Sequence, residues 1–177
     1  MEIRQITVGK LQTNCFLLVS DGEAAVIDPG GEPQKILSEL ERTKAKLKYI
    51  INTHYHFDHT FADREIKEAT GAEILIHRSE KDFLVFEMDR FLDDGEEIKI
   101  GKESLKVVHT PGHSKGGICL FGEGFVLSGD TLFKGSYGRV DLPGGSAEEM
   151  AASLEKLAKM IQPGTAVYPG HGQNFKA

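Results

Sequence analysis

A short apolar run that ends in a dense histidine cluster constrains this chain more than any other feature. Leu47-Lys48-Tyr49-Ile50-Ile51 reads as a strand, and it delivers the backbone to Asn52-Thr53-His54-Tyr55-His56-Phe57-Asp58-His59-Thr60. In extended backbone, residues two apart point the same way, so His54 and His56 can grip one metal ion. Where the chain turns into a following helix, Asp58 and His59 can face a neighbouring ion. Imidazole and carboxylate together suit zinc, iron or manganese. A solvated polar loop would need no such density of histidine.

Four further polar residues stand just past expected strand ends. They are Asp28 in Ile27-Asp28-Pro29-Gly30, His113 in Thr110-Pro111-Gly112-His113-Ser114, Asp130 in Leu127-Ser128-Gly129-Asp130-Thr131, and His171 in Tyr168-Pro169-Gly170-His171-Gly172. Each lies beside glycine, proline or both, at a junction where a rigid scaffold can hold a loop ligand. Any one of them alone would be an ordinary turn residue. Together with the cluster they supply the donors that two metals need.

Hydrophobic patterning places these junctions in a mixed architecture. Strands are expected over 3–8, 14–19 and 23–27, with Asp21-Gly22 turning the second into the third. A helix is expected over 33–42, with Pro33 in its first turn, and the strand 47–51 follows. Next come a helix over 61–69 ending at Gly71, a strand over 73–76 and a helical segment over 79–86. Two hairpins follow, 96–100 with 104–108 and 118–121 with 125–127. The chain closes with a helix over 147–161, N-capped by Ser146 with Glu149 three residues on, and a strand over 165–168. The early hairpins exclude a wholly parallel sheet, and two mixed sheets packed together with helices outside fit the order.

At 177 residues the chain is sized for one domain. Its formal net charge is −6, which offers no electrostatic footprint for nucleic acid or an anionic membrane surface. No stretch approaches the ~20 apolar residues that span a bilayer, and Met1 to Ile6 has no run suited to secretion, so the expected place is the cytoplasm. Cys15 and Cys119 lie in apolar runs and read as buried free thiols.

The H-x-H-x-D-H segment and the later Pro-Gly-His, Ser-Gly-Asp-Thr-Leu-Phe and Tyr-Pro-Gly-His segments come in the order found in the metallo-β-lactamase superfamily. The chain resembles that family from Asn14 to Gly172, and within it the short glyoxalase II-like hydrolases. The resemblance implies an α/β (α+β) fold, an αβ/βα sandwich of two mixed β-sheets packed face to face with helices outside. It also implies a site. His54, His56 and His113 would bind a first metal, Asp58, His59 and His171 a second, and Asp130 would bridge both. Asp28 would orient a ligand histidine. The expected cofactors are two divalent ions, zinc first, with iron or manganese as alternatives.

The segment Gly135-Ser136-Tyr137-Gly138-Arg139-Val140-Asp141-Leu142-Pro143-Gly144-Gly145 matches a pattern of the short relatives. Arg139 falls where longer relatives hold glutathione, so it is the expected substrate-binding residue; the competing role is an ion pair with Asp141. Asp141 stands where those relatives have a tyrosine. Six residues follow His171, so the helical glutathione-binding domain of full-length glyoxalase II is not expected.

The expected reaction is hydrolysis of an anionic thioester such as an S-acyl-glutathione, by a metal-held hydroxide that Asp58 orients. No Ser or Cys nucleophile has a base at sensible spacing. The expected partner is a small-molecule substrate, and the expected assembly a monomer or small homo-oligomer. The alternatives are a persulfide dioxygenase using one iron at the equivalents of His54, His113 and Asp130, a metal-dependent phosphodiesterase or lactonase, and a non-enzymatic metal-binding module. Elsewhere, His77 and His109 read as ordinary hydrogen-bonded histidines, and 44–48 as solvated surface. Tyr55 and Phe57 are expected to pack beneath the histidine loop. Phe83, Phe86, Met88 and Phe91 read as local packing, with a pocket roof as the alternative.

Overall fold

A computed structural model covers residues 1–177. The first sheet runs in the order β1 (Glu2–Val8), β2 (Thr13–Ser20), β3 (Glu23–Ile27), β4 (Lys46–Ile51), β5 (Glu73–His77) and β6 (Arg90–Leu92). Its first three strands are antiparallel, and β3 to β6 are parallel. The second sheet, in spatial order, is β14 (Phe175–Lys176), β13 (Ala166–Pro169), β10 (Phe125–Gly129), β9 (Ile118–Gly122), β8 (Glu103–His109) and β7 (Glu97–Ile100). It is antiparallel except for β10 with β13. A small hairpin, β11 (Leu132–Phe133) with β12 (Ser136–Tyr137), follows β10.

The two-residue period of the strands sorts their side chains into three apolar layers. Phe16, Leu18, Ala25 and Ile27 face the second sheet and meet Leu105, Val107, Leu120 and Leu127 there. The alternate residues Cys15, Leu17, Ala24 and Val26 face outward and are covered by Ile36 and Leu40 of α1 (Pro33–Thr43) and Ile66 of α3 (Asp63–Thr70). On the far side, Cys119, Val126 and Val167 pack on Leu157 of α4 (Ala147–Met160). The result is helix, sheet, sheet, helix, as the resemblance implied. Cys15 and Cys119 are buried free thiols in different outer layers.

Ser146 caps α4 by accepting the Glu149 N–H at 3.2 Å, a contact worth ~1 kcal/mol. Gly71 ends α3 in the left-handed conformation, with its N–H donating to the Lys67 carbonyl. No helix is long and apolar enough to cross a membrane.

Three expectations are corrected. The helix expected over 61–69 begins later, as α3 (Asp63–Thr70), and a separate single turn, α2 (Phe57–Thr60), precedes it; between them Ala62 turns its N–H to the Pro29 carbonyl instead of continuing the ladder. The helical segment over 79–86 is a 3₁₀ helix over Arg78–Phe83 that stops at an extended Leu84. Phe57 does not pack beneath the loop but is 69% exposed. The strands β6, β11, β12 and β14 are only two or three residues long and carry no periodic signal of their own.

Candidate metal centre

The parallel strands β3 and β4 end on the same edge of the first sheet. In the second sheet β8, β10 and β13 all run one way, because β9 is antiparallel to both β8 and β10. The loops carrying Asp28, His54 to His59, His113, Asp130 and His171 therefore leave the sandwich at one edge. The two sheets are tied together there. Asn14 donates its backbone N–H to the Gly170 carbonyl at 2.7 Å, and Ile118 donates to the Thr53 carbonyl at 3.0 Å. Glycine is required where the loops touch. A Cβ on Gly30 would lie 1.5 Å from the Asp58 carbonyl oxygen, and one on Gly170 would lie 2.2 Å from Asp130 Oδ1.

This packing brings all seven expected ligands together. His54, His56 and His113 converge as one set of donors, and Asp58, His59 and His171 as another, each with its donor atoms within 4.8 Å of one another. His56 Nδ1 faces His113 Nε2 at 2.9 Å, and the Nε2 atoms of His59 and His171 face each other at 3.2 Å. The Asp130 carboxylate lies between the sets, 3.4 Å from His113 Nε2, 3.5 Å from His59 Nε2 and 3.6 Å from His171 Nε2. Asp58 Oδ2 is 3.2 Å from His171 Nε2 and accepts the Thr13 hydroxyl at 3.2 Å.

The outer ring nitrogens are engaged. His113 Nδ1 meets the Arg139 carbonyl at 2.7 Å, and His171 Nδ1 meets the Leu11 carbonyl at 3.1 Å. A carbonyl can only accept, so each Nδ1 carries a proton; in the neutral ring this leaves the Nε2 lone pair facing inward, where a metal would take it. Asp28 sits 3.0 Å from His59 Nδ1 and also accepts the N–H and hydroxyl of Thr53, both at 2.7 Å. It does so from a left-handed backbone with φ 51°, uncommon for a residue with a Cβ.

Burial and charge divide the rings. Burial, then repulsion from the neighbouring rings, pushes the His54 pKa well down and His56 to about 4. Burial acts the same way on His59, but Asp130, Asp28 and Asp58 reverse it and raise that ring to about 9. Burial would raise Asp58, yet the His171 hydrogen bond and the His59 charge hold it below the usual carboxylate range.

A cation fits this donor set. His54 Nε2 and Asp130 Oδ1 are buried without hydrogen-bond partners. Each unsatisfied buried polar atom costs ~1–3 kcal/mol, and convergent lone pairs are what a bound cation would satisfy.

A cavity of about 480 Å³ opens over Asp58, Asp130 and His171, with Tyr55, Arg139 and Leu142 at its rim. Arg139 pairs with both oxygens of Asp141, at 2.7 and 2.8 Å, and both side chains are exposed. Phe83 stacks on Tyr55 with ring centroids 4.9 Å apart, while Met88 packs against the outer layer of the first sheet. Neither these two nor Phe86 and Phe91 line the cavity.

Sequence reasoning missed Glu80. Fully buried in the 3₁₀ helix, it accepts a short hydrogen bond from the Ser114 hydroxyl, next to His113. Burial raises its carboxyl to about 7, partly offset by that bond and by the N–H groups of Gly116 and Tyr55. It thus ties the 3₁₀ helix to the loop of His113. Nothing local in the sequence marks it, because its partners lie far along the chain. Thr53 was missed as well, although its place directly before His54 was a signal.

Residues 8–171 match the family model of the metallo-beta-lactamase superfamily. The chain is 32% identical to hydroxyacylglutathione hydrolase GloC of Haemophilus influenzae, over 97% of this chain and 91% of that protein. It is 40% identical to a hydroxyacylglutathione hydrolase of Rhodospirillum rubrum, over 97% of this chain and 66% of that one. Among solved structures, it superposes on the BLEG-1 B3 metallo-beta-lactamase with a TM-score of 0.92 at 30% identity, covering 99% of this chain and 94% of that one. The di-iron-bound form of TTHA1623 gives 0.87 at 33%, covering 98% and 94%.

Proposed function

This chain belongs to the metallo-beta-lactamase superfamily, and we propose that within it the protein is a two-metal hydrolase that cleaves a thioester of the S-acyl-glutathione kind. The observation that carries this reading is the position of Asp130, within 3.6 Å of rings from both donor sets. His54, His56 and His113 would hold one ion, Asp58, His59 and His171 the other, and Asp130 both. Zinc suits these donors, as do iron and manganese. When bound, the ions would supply a water acidic enough to ionise near neutral pH and positive charge for the acyl oxygen.

The chain's own residues do the rest. Asp28 fixes the His59 ring, and the carbonyls of Arg139 and Leu11 fix His113 and His171. Asp58, a lining residue of the cavity, would orient the attacking water. Water adds to the acyl carbon and the thiolate leaves without a strong general acid. Arg139 at the rim binds the carboxylate of the substrate by exchanging it for Asp141. The glutathione relatives support the substrate class.

Two assays on metal-replete protein test the reading. S-lactoyl- and S-acetyl-glutathione should be hydrolysed with two ions per chain and no oxygen uptake. Arg139→Ala should lower kcat/KM on these anionic thioesters about tenfold and on a neutral thioester much less. Oxygen uptake with one iron per chain would replace the hydrolase by a dioxygenase.

A further inference from the structure

Five large apolar side chains are exposed in this protein: Leu11 (55%), Phe57 (69%), Phe61 (73%), Val85 (94%) and Tyr137. Three of the five, Leu11, Phe57 and Phe61, line one open groove of about 560 Å³. Clustered apolar exposure of this kind marks a binding surface, whereas scattered residues do not. Phe57 and Phe61 stand one helical turn apart, so they share a face; Phe61 keeps helical angles, φ −56° and ψ −37°. The floor is backbone, formed by Gly9, Gly30 and Gly31. It has no room for side chains: a Cβ on Gly31 would come within 3.1 Å of Gly9 N, and one on Gly30 would overlap the Asp58 carbonyl.

The groove is not separate from the metal centre. Leu11, Phe57 and Asp58 line both it and the cavity over Asp130 and His171. A ligand whose reacting carbon sits at Asp58 therefore has two ways out. One is polar, toward Arg139. The other runs over the exposed rings of Phe57 and Phe61, with Lys10 and Glu32 also among the lining residues. The volume is of ligand size.

We propose that this groove receives the acyl chain of the substrate, so that the preferred thioesters carry a medium-length unbranched alkyl chain on the carbonyl and their anionic thiol portion lies toward Arg139. This rests on the thioesterase reading and narrows it, because Phe61 lines the groove but not the cavity over Asp130 and His171. The chain-length response carries the argument: each methylene moved from water onto the groove should raise kcat/KM about twofold to fourfold.

The test uses metal-replete protein and a series of S-acyl-glutathiones from acetyl to decanoyl. The expected result is a rise in kcat/KM to about octanoyl. The octanoyl-to-acetyl ratio should fall at least tenfold in a Phe57→Ser, Phe61→Ser double variant and stay the same in Val85→Ser, which is exposed outside the groove. A flat series in an active enzyme would overturn the groove and leave the thioesterase reading standing. Absence of turnover on every member would overturn that reading instead. The groove would then be judged by calorimetric titration with non-hydrolysable S-alkyl-glutathiones, where octyl must bind at least tenfold tighter than methyl for it to survive. A dimer that dissociates on Phe61→Ser would give the face to a second copy of the chain and overturn the proposal.

Discussion

Two clusters of histidine lie in this protein, and only one has the makings of a metal centre. In the centre, five rings and two carboxylates turn donors inward on one another. In the second cluster, His77 and His109 stack face to face, centroids 4.1 Å apart and 13° from parallel. There His77 Nδ1 accepts the Ser79 N–H and His109 Nε2 meets the Lys115 carbonyl. No carboxylate joins these rings in a donor set. The contrast teaches that histidine density is not enough. What distinguishes the centre is convergence: donor atoms of five rings and two carboxylates gather there, with carbonyls on the outer nitrogens of His113 and His171 and Asp28 beside that of His59.

The clusters are also mechanically joined. His77 opens the 3₁₀ helix that carries Glu80, and Glu80 grips Ser114 beside His113. His109 reaches the carbonyl of Lys115 in the same loop. The stacked pair thus serves as scaffold for the ligand loops.

The largest effect that separates the clusters is on activity. Asp130→Ala should lower thioester kcat/KM by well over a hundredfold, beyond the ~10–100-fold typical of an outer partner of a metal ligand. His109→Gln should change it by less than about twofold. Comparable losses in both would erase the distinction.

Next comes Asp28→Asn, which keeps the shape but removes the charge behind His59. Metal affinity in a chelator competition should fall ~10–100-fold, with the thermal stability of metal-free protein little changed. An unchanged affinity would mean that the Thr53 hydrogen bonds alone define the role of Asp28.

The supporting region should show itself in stability against pH, measured by denaturant unfolding with chelator present. Glu80 binds its proton more tightly when folded, with a pKa of about 7 against 4.5. Its contribution is therefore complete below about pH 4.5 and lost as pH rises through 7. Relative to wild type, Glu80→Gln should remove a decline on the order of 2 kcal/mol across that window.

His77 has the opposite sign and the smallest effect. Burial, then the nearby His109, lowers its pKa from 6.5 to about 4. Its contribution is complete above about pH 6.5 and lost as pH falls toward 4. His77→Gln should remove that acid-side loss, on the order of 1 kcal/mol after discounting for solvent screening. Equal slopes in both variants would show that the two groups titrate together.

The sequence made the candidate centre legible because its donor residues are chemically rare and lie at strand ends. His54 to His59 announce themselves, and His113, Asp130 and His171 each sit in a glycine-marked turn. The sandwich was legible for the same kind of reason: strands such as Thr13–Ser20 bury both faces and read as continuous apolar runs. What escaped is tertiary. The break at Ala62 depends on the Pro29 carbonyl, far away along the chain, and Glu80 matters only because folding brings Tyr55, Ser114 and Gly116 to it. Phe57 was misjudged because alternation with the ligands suggested an inward side chain, whereas the one-turn helix Phe57–Thr60 rotates it into solvent.

The central claim is a pair of ions held by one carboxylate, and counting bound metal tests it most directly. Elemental analysis of protein purified after metal repletion should give two ions per chain for the wild type and fewer than one for Asp130→Ala. Saturation of the wild type at a single ion, with the partly exposed His171 free to react with a histidine-directed reagent, would contradict it.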